Sequence, residues 1–279
     1  MEIICPYHLR ISVVPIILKH IGFQIKIFLS CNCRLLFLGM KKIYLSLAVL
    51  LGLSNSLFAN DSTKVASPFS ASLELTTKYM WRGIEYGTAP TVFPMIGYGY
   101  KGFNAFAMGA YAVNGSHQEV DLGVSYSNSG LTVGVSDYYY PSAVGEKDGY
   151  FKLSNRSTGH WVEAYATWSG DKFPLWITLS TYVFGADKNE EGKQMYSSYA
   201  EVGYTYAFND NNSMALCVGA NLNKGFYTDN KSGFSVVNIN AKYSTAFKFG
   251  KFKLPVSASY ILNPYKNKSF FTMSLYFGI

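Results

Sequence analysis

Polar and apolar residues alternate along most of the chain, and this period-two pattern constrains the fold more than any other feature. Over residues 213–223, for example, Met214, Leu216 and Val218 share one parity, whereas Cys217 has the other. Successive side chains of a β-strand point to opposite faces, so each such segment predicts a strand with one apolar face. The pattern predicts twelve strands, at 70–82, 91–100, 103–114, 118–127, 131–140, 160–168, 175–184, 196–208, 213–223, 234–247, 253–262 and 269–279.

The length of these segments separates a membrane protein from a soluble one. Most of them run for 9 to 13 residues, about the length that a tilted strand needs to cross a bilayer. Strands of soluble proteins average only about five or six residues. No apolar run of 18 residues follows the first sixty, which excludes a helical membrane protein. With 17% aromatic and 15% charged residues, the chain is also too apolar to be disordered.

The connectors alternate between tight turns and longer loops. The tight ones span 101–102, 128–130, 169–174, 209–212 and 248–252, and the others, mostly longer, span 83–90, 115–117, 141–159, 185–195, 224–233 and 263–268. Strict alternation places all tight turns at one end of the sheet. Transmembrane barrels have short periplasmic turns, longer external loops and an even number of strands. We therefore expect an all-β fold: a single closed antiparallel transmembrane β-barrel of about 12 strands. The facing of the strand at 103–114 stays ambiguous, because Ala and Gly occur on both parities.

The N-terminal region does not share this pattern. Residues 40–59 combine Lys41 and Lys42 with an apolar stretch and a small, polar tail, which is typical of a secretory signal peptide. Residues 1–39 precede it, and we interpret them as an upstream extension that results from an incorrectly assigned start site. The alternative interpretation is a genuine amphipathic leader. The barrel domain is then expected at 60–279, in the bacterial outer membrane.

Removing this prefix changes the charge of the chain and the functions it allows. The full chain carries a net charge of +7, but residues 1–59 hold six basic residues and one acidic residue. The remaining 18 basic and 16 acidic residues give +2, so basicity no longer predicts a nucleic-acid partner. Only Cys217 and two histidines remain, so neither a disulfide framework nor a metal site is expected. We predict no cofactor, and outer-membrane lipids with ions or small solutes as partners. The oligomeric state stays open.

Charged residues on the polar parity are the candidate functional residues. If the apolar parity faces lipid, eight of them point into the lumen: Glu74, Lys78, Arg82, Glu119, Asp121, Glu163, Glu201 and Lys242. They line a water path and set its ion preference in one interpretation. In the other they pair across the lumen and plug it, because buried charges must be compensated. Five acidic against three basic residues predict a mild cation preference if the lumen is wet.

An enzyme is the least favoured reading. A serine and a histidine can act together as nucleophile and base. Ser116 and His117 are adjacent in the sequence, and Ser157 and His160 lie close together further on. Adjacent residues of a strand point to opposite faces, so Ser116 and His117 cannot easily share a hydrogen bond. We therefore predict no catalytic residues.

Two short motifs resemble the TorF-type family of outer-membrane porins. One is Thr77-Lys78-Tyr79-Met80-Trp81-Arg82-Gly83-Ile84, with Ala89-Pro90 soon after; the other is Asp137-Tyr138-Tyr139-Tyr140-Pro141. The family carries an aromatic residue and then Arg-Gly at the top of its first strand, and it tends to be more polar than this chain at 84–86. The resemblance implies a small outer-membrane barrel that acts as a channel, without catalytic residues.

Pattern and resemblance together predict a small passive pore for ions or small solutes. The alternative is a non-conducting barrel that is structural or binds a partner through its loops. A lipid-modifying barrel enzyme is a less favoured alternative. External loops 141–159 and 185–195 mix acidic and basic residues, which would serve either contact with a partner or solvation.

Overall fold

The computed structural model describes residues 67–141, 149–154, 157–170, 174–250 and 252–278, all within one compact unit. The predicted extension at 1–39 and the predicted signal peptide at 40–59 lie outside the described residues. The first residues of the predicted barrel domain, 60–66, do so as well.

Twelve strands close into one antiparallel barrel, as the alternation predicts. Each barrel strand pairs with the next barrel strand along the chain, and β1 pairs with β14 to close the ring. Fourteen strands occur in the described residues: β1 (Phe69–Thr76), β2 (Tyr79–Trp81), β3 (Ile84–Tyr86), β4 (Thr91–Tyr100), β5 (Phe103–Ala112), β6 (Gln118–Asn128), β7 (Leu131–Tyr139), β8 (His160–Ser169), β9 (Leu175–Gly185), β10 (Ser198–Asn209), β11 (Asn212–Asn221), β12 (Ser235–Phe249), β13 (Phe252–Asn263) and β14 (Lys268–Gly278). The strands β2 and β3 form a separate hairpin.

The first predicted strand, 70–82, is wrong in its second half. The wall strand β1 ends at Thr76, which pairs directly with Thr91 of β4. The intervening residues leave the wall and form the β2–β3 hairpin, in which Trp81 pairs with Ile84. Its two-residue turn, Arg82-Gly83, has φ angles of 50° and 77°, as a type I′ turn requires. A Cβ atom on Gly83 would lie 2.0 Å from the backbone oxygen of Val237, so glycine is needed there.

Tight turns and longer connections lie at opposite ends of the barrel. Two-residue turns with positive φ join β4 to β5 at Lys101-Gly102 and β6 to β7 at Ser129-Gly130. The connections at the other end include 77–90, 140–159 and 222–234. Since transmembrane barrels keep their longer loops outside the cell, we refer to this second end as external.

The outer wall is apolar and exposed over a continuous band. Leu122 on β6, Leu179 on β9 and Leu216 on β11 expose 41%, 52% and 52% of their surface. Monomeric soluble proteins seldom expose contiguous apolar patches larger than a few hundred Å², whereas a barrel in lipid needs such a band. The protein is therefore a transmembrane barrel, and single-chain barrels of this kind reside in outer membranes. Across the described ranges, no helix has the length and hydropathy of a membrane span.

A pair of arginine substitutions on one strand tests which face meets lipid. We expect Leu216→Arg to lower the free energy of unfolding by about 2–4 kcal/mol, the cost of arginine near the bilayer midplane. Cys217→Arg should cost less, because Cys217 lies beside inward-facing Asn240 of β12 and near Glu201. Urea unfolding in lipid vesicles measures both, and equal losses would show that the assigned facing of β11 is wrong.

Glycines on the inner wall make room for aromatic rings on the neighbouring strand. Phe106 lies against Gly123, Tyr165 against Gly134, and Trp176 against Gly203, each within 2.6 Å of where a Cβ atom would stand. The first of these pairs settles the facing of β5: Phe106 and Met108 point inward. The lumen is thus lined by rings as well as by charged groups.

Candidate functional site

The β2–β3 hairpin crosses the external part of the lumen. Tyr79 packs on Phe93 of β4 and Ala110 of β5, and Trp81 lies 5.6 Å, centroid to centroid, from Tyr138 of β7. On another side of the barrel, the side chain of Asn263 on β13 donates a 3.1 Å hydrogen bond to the carbonyl of Gly83. Because these strands are well separated around the ring, the hairpin bridges the lumen from wall to wall.

Arg82 ties the tip of the hairpin to the wall. Its guanidinium donates to both carboxylate oxygens of Glu163 on β8, at 2.5 and 3.1 Å, and also contacts the hydroxyl of Tyr227. Only 13% of the Arg82 side chain and 1% of the Glu163 side chain is exposed. Two-pronged pairing of this kind is the strong form of an arginine–carboxylate contact.

Aromatic rings enclose this ion pair. The guanidinium lies over the rings of Trp81 and Tyr199, at 4.2 and 4.6 Å from their centroids. A short 3₁₀ helix, Phe226–Thr228, enters from the loop between β11 and β12, and its Tyr227 packs with Tyr182 in a buried cluster. We call the hairpin (79–86) and this helix (226–228) the external plug.

Other predicted lumen charges also have partners. The ring of His117 is hydrogen-bonded to Glu119 at 2.8 Å, and Lys78 pairs with Glu85 of the hairpin. Glu201 accepts hydrogen bonds from the hydroxyl of Tyr199, at 2.5 Å, and from the amide of Asn238, at 2.7 Å. Sequence reasoning missed His117 and Glu85 as partners. His117 has the parity of Glu119, two residues away, which is the signal that would have found it.

A cavity of about 300 Å³ lies against the hairpin. Four of the predicted charged residues line it, namely Glu74, Lys78, Asp121 and Lys242. Hydroxyl groups supply much of the remaining lining, from Thr76, Ser257, Ser259, Thr272, Ser274 and Tyr276. In the described part of the chain, neither carboxylate oxygen of Asp121 has a hydrogen-bond partner, and the same holds for Oδ1 of Asn240, which also lines the cavity.

The eight predicted residues therefore fall into two sets. Six lie on wall strands, on the face that points into the barrel: Glu74, Glu119, Asp121, Glu163, Glu201 and Lys242. Lys78 and Arg82 lie instead before β2 and in the turn of the hairpin, which corrects their placement on the first wall strand. The chain brings Arg82 and Glu163 into contact, whereas Asp121 has no hydrogen-bond partner in the part of the chain that the structure describes.

The Ser and His residues considered as catalytic candidates form hydrogen bonds to different partners. Ser116 accepts a 2.9 Å hydrogen bond from the backbone of Thr88, while His117 is bonded to Glu119. His160 is bonded through Nδ1 to Asp137 at 2.7 Å and through Nε2 to the carbonyl of Tyr150 at 2.7 Å. No group of three metal-binding side chains occurs among the residues with described positions.

The external loop between β9 and β10 is held by a buried carboxylate. Asp187 accepts hydrogen bonds from the backbone nitrogen and the hydroxyl of Ser197, at 2.8 and 2.6 Å. Burial raises the pKa of Asp187, and these hydrogen bonds oppose the rise. Further out, Lys193 and Glu191 pair at 2.8 Å with most of their surface exposed, so the tip of this loop is a charged, solvated surface.

The fold and the lumen define an outer-membrane β-barrel with a charged interior and an external plug. Outer-membrane channels are among the solved structures that the comparison finds similar to this chain, at low sequence identity. A KdgM porin in complex with disordered oligogalacturonate is 12% identical, with a TM-score of 0.44 over 75% of this chain and 98% of that chain. An outer-membrane channel from Pseudomonas putida F1 is 14% identical, with a TM-score of 0.39 over 80% and 98%. The outer-membrane channel DcaP of Acinetobacter baumannii is 12% identical, with a TM-score of 0.30 over 75% and 72%.

The sequence matches no protein-family model and no curated protein. At these TM-scores the structural similarities carry no information on what the barrel transports.

Proposed function

We propose that this protein is a small passive pore for ions or small solutes. The observation that carries the proposal is the polar cavity inside a membrane-spanning wall. Asp121 and Asn240 line it, and both carboxylate oxygens of Asp121 and Oδ1 of Asn240 are buried without a hydrogen-bond partner in the described residues. An unsatisfied polar atom in a dry interior is costly. Water in the lumen satisfies such groups, so these residues support a wet interior.

The charge pairs refine which residues set ion preference. Glu163 is neutralised by Arg82, and Glu201 is held by hydrogen bonds. Glu74 and Asp121 line the cavity and take part in none of the six ion pairs found in the described residues. Lys242 also lines the cavity outside these pairs, so the acidic excess there is one residue. A pore with this lining mildly favours cations, as five acidic against three basic residues already predict, with the preference located at Glu74 and Asp121.

Planar-bilayer recordings of refolded residues 60–279 test the pore directly. We expect small unitary currents in KCl with a cation preference of a few-fold at low salt. At 1 M salt the Debye length falls to about 3 Å, so the preference should largely vanish. A correctly folded barrel that carries no current would contradict the proposal.

The external plug favours one alternative, a non-conducting barrel that is structural or binds a partner. The bidentate Arg82–Glu163 pair and the packed rings around it resemble a closed interior. The solvated tip at Glu191 and Lys193 would then be the contact surface.

The resemblance to TorF-type porins is also part of this proposal. The segment that carries it, Trp81-Arg82-Gly83, builds the tip of the hairpin and holds the Glu163 contact. A shared hairpin would explain why an aromatic residue and Arg-Gly occur together at this point of the chain.

A further inference from the structure

Asp121 is a buried carboxylate that has no ion-pair partner among the described residues. It lies on β6 with 1% of its surface exposed, and it lines the cavity. Neither of its oxygens has a hydrogen-bond partner in the described residues. A buried charge without a partner is strongly disfavoured, so a bound cation, a proton or lumen water has to compensate it.

The cationic side chains that share the cavity contact groups other than Asp121. Lys78 pairs with Glu85. Lys242 donates a 3.2 Å hydrogen bond to the hydroxyl of Tyr276 and lies over the ring of that residue. Within the described residues, neither lysine forms an ion pair with Asp121.

The groups around Asp121 suit an organic cation. Asp121 is the cross-strand neighbour of Tyr138 on β7, and Tyr79 and Trp81 of the hairpin line the same cavity. Aromatic faces attract ammonium groups, and the attraction grows when water is excluded. The described residues contain no cluster of three metal-ligating side chains, so the lining does not resemble a metal site.

A second acceptor lies on the opposite wall. Asn240 on β12 lines the cavity, and its Oδ1 has no hydrogen-bond partner within the described ranges. Six positions separate β6 from β12 in the twelve-strand ring, so the two groups face each other across the barrel. A cavity of about 300 Å³ is at the lower end of the range for small-molecule sites.

We infer that this cavity binds a small organic ammonium solute, with Asp121 as the anionic anchor. The inference rests on the proposed pore and names a class of solute for it. Glu119 lies two residues before Asp121 on the same face of β6. Its carboxyl group, which is hydrogen-bonded to His117, also interacts with that of Asp121. A proton shared between the two carboxyl groups is the competing explanation.

Calorimetric titration of the detergent-solubilised barrel at low ionic strength tests the inference with three four-carbon probes. We expect butylammonium to bind, whereas neutral 1-butanol and anionic butyrate should not. Asp121→Asn keeps the size of the side chain and removes its charge, and it should weaken butylammonium binding about tenfold or more. Glu201→Gln is the matched control, since Glu201 is a lumen carboxylate outside the cavity lining, and it should leave binding unchanged.

Three results would overturn the inference. If wild-type protein did not bind butylammonium, a proton on Asp121 would be the explanation for its burial. Equal binding by the Asp121→Asn variant would place the cation elsewhere, and displacement of butylammonium by an equal concentration of K⁺ would indicate an inorganic site. The three-probe comparison on wild type stands even if the variant fails to fold. Currents in KCl without butylammonium binding would overturn this inference alone, whereas binding without any current would overturn the pore alone.

Discussion

Replacing residues 77–90 with a two-residue Asn-Gly turn should raise the single-channel conductance several-fold. Thr76 and Thr91 are direct cross-strand partners, so a type I′ turn can join them without changing the register of β1 and β4. The replacement removes the whole hairpin, including Trp81 and Arg82, which lie across the external part of the lumen. Current should rise because the narrowest part of the path becomes wider.

A second shortened loop controls for the loss of external residues. Replacing 189–193 with Asn-Gly trims an exposed tip beyond the Lys188–Gln194 bridge and should leave the conductance unchanged. Heat-modifiable mobility on gels checks that both variants fold. If the barrel without the hairpin carried the same current as wild type, the hairpin would not be the constriction. If current appeared only after its removal, the resting state would be the plugged barrel.

The wall of this barrel could be predicted from sequence because its determinants are local. The segment predicted at 131–140 is a strand at Leu131–Tyr139, and that at 103–114 is a strand at Phe103–Ala112. Alternating parity fixes the faces, and turn residues fix the ends. Both signals lie within about a dozen residues of each other.

The interior could not be predicted in the same way. Alternation continues from Thr77 through Trp81, so the sequence shows no break where β1 leaves the wall at Thr76. Only the positive φ of Arg82 and Gly83 reverses the chain. Arg82 then meets Glu163, 81 residues further along, and no local pattern encodes such a distance. The parity rule identified which charges turn inward on the wall but not which of them pair.

Removing the Arg82 side chain should lower the free energy of unfolding by about 3–5 kcal/mol. This is the usual cost of removing one partner of a buried ion pair and leaving the other charge uncompensated. The Glu163 side chain is 1% exposed in the wild-type barrel, and Arg82→Ala leaves its carboxylate one hydrogen bond from the described residues, donated by the hydroxyl of Tyr138 at 3.0 Å. It also removes the cation from the rings of Trp81 and Tyr199. Urea unfolding in vesicles, followed by tryptophan fluorescence, measures the loss.

Two further variants separate the charge from the shape of the contact. Arg82→Ala combined with Glu163→Gln should recover much of the lost stability, because no uncompensated carboxylate remains. Arg82→Lys keeps the charge but gives up the two-pronged contact, so an intermediate loss is expected. If the double variant were no more stable than Arg82→Ala, packing of the arginine on its aromatic neighbours would be its main contribution.

The size of the loss also shows how wet the plug is. In a dry plug, the full cost of an isolated carboxylate at Glu163 is felt, and Arg82→Ala destabilises the barrel by several kcal/mol. If water reaches Glu163, the pair behaves as an exposed salt bridge, and the loss stays at or below about 1 kcal/mol. Conductance of the same variant completes the test, because a small loss in stability should accompany a current close to that of wild type. A large loss with increased current would show that Arg82 holds the hairpin across a path that is otherwise open.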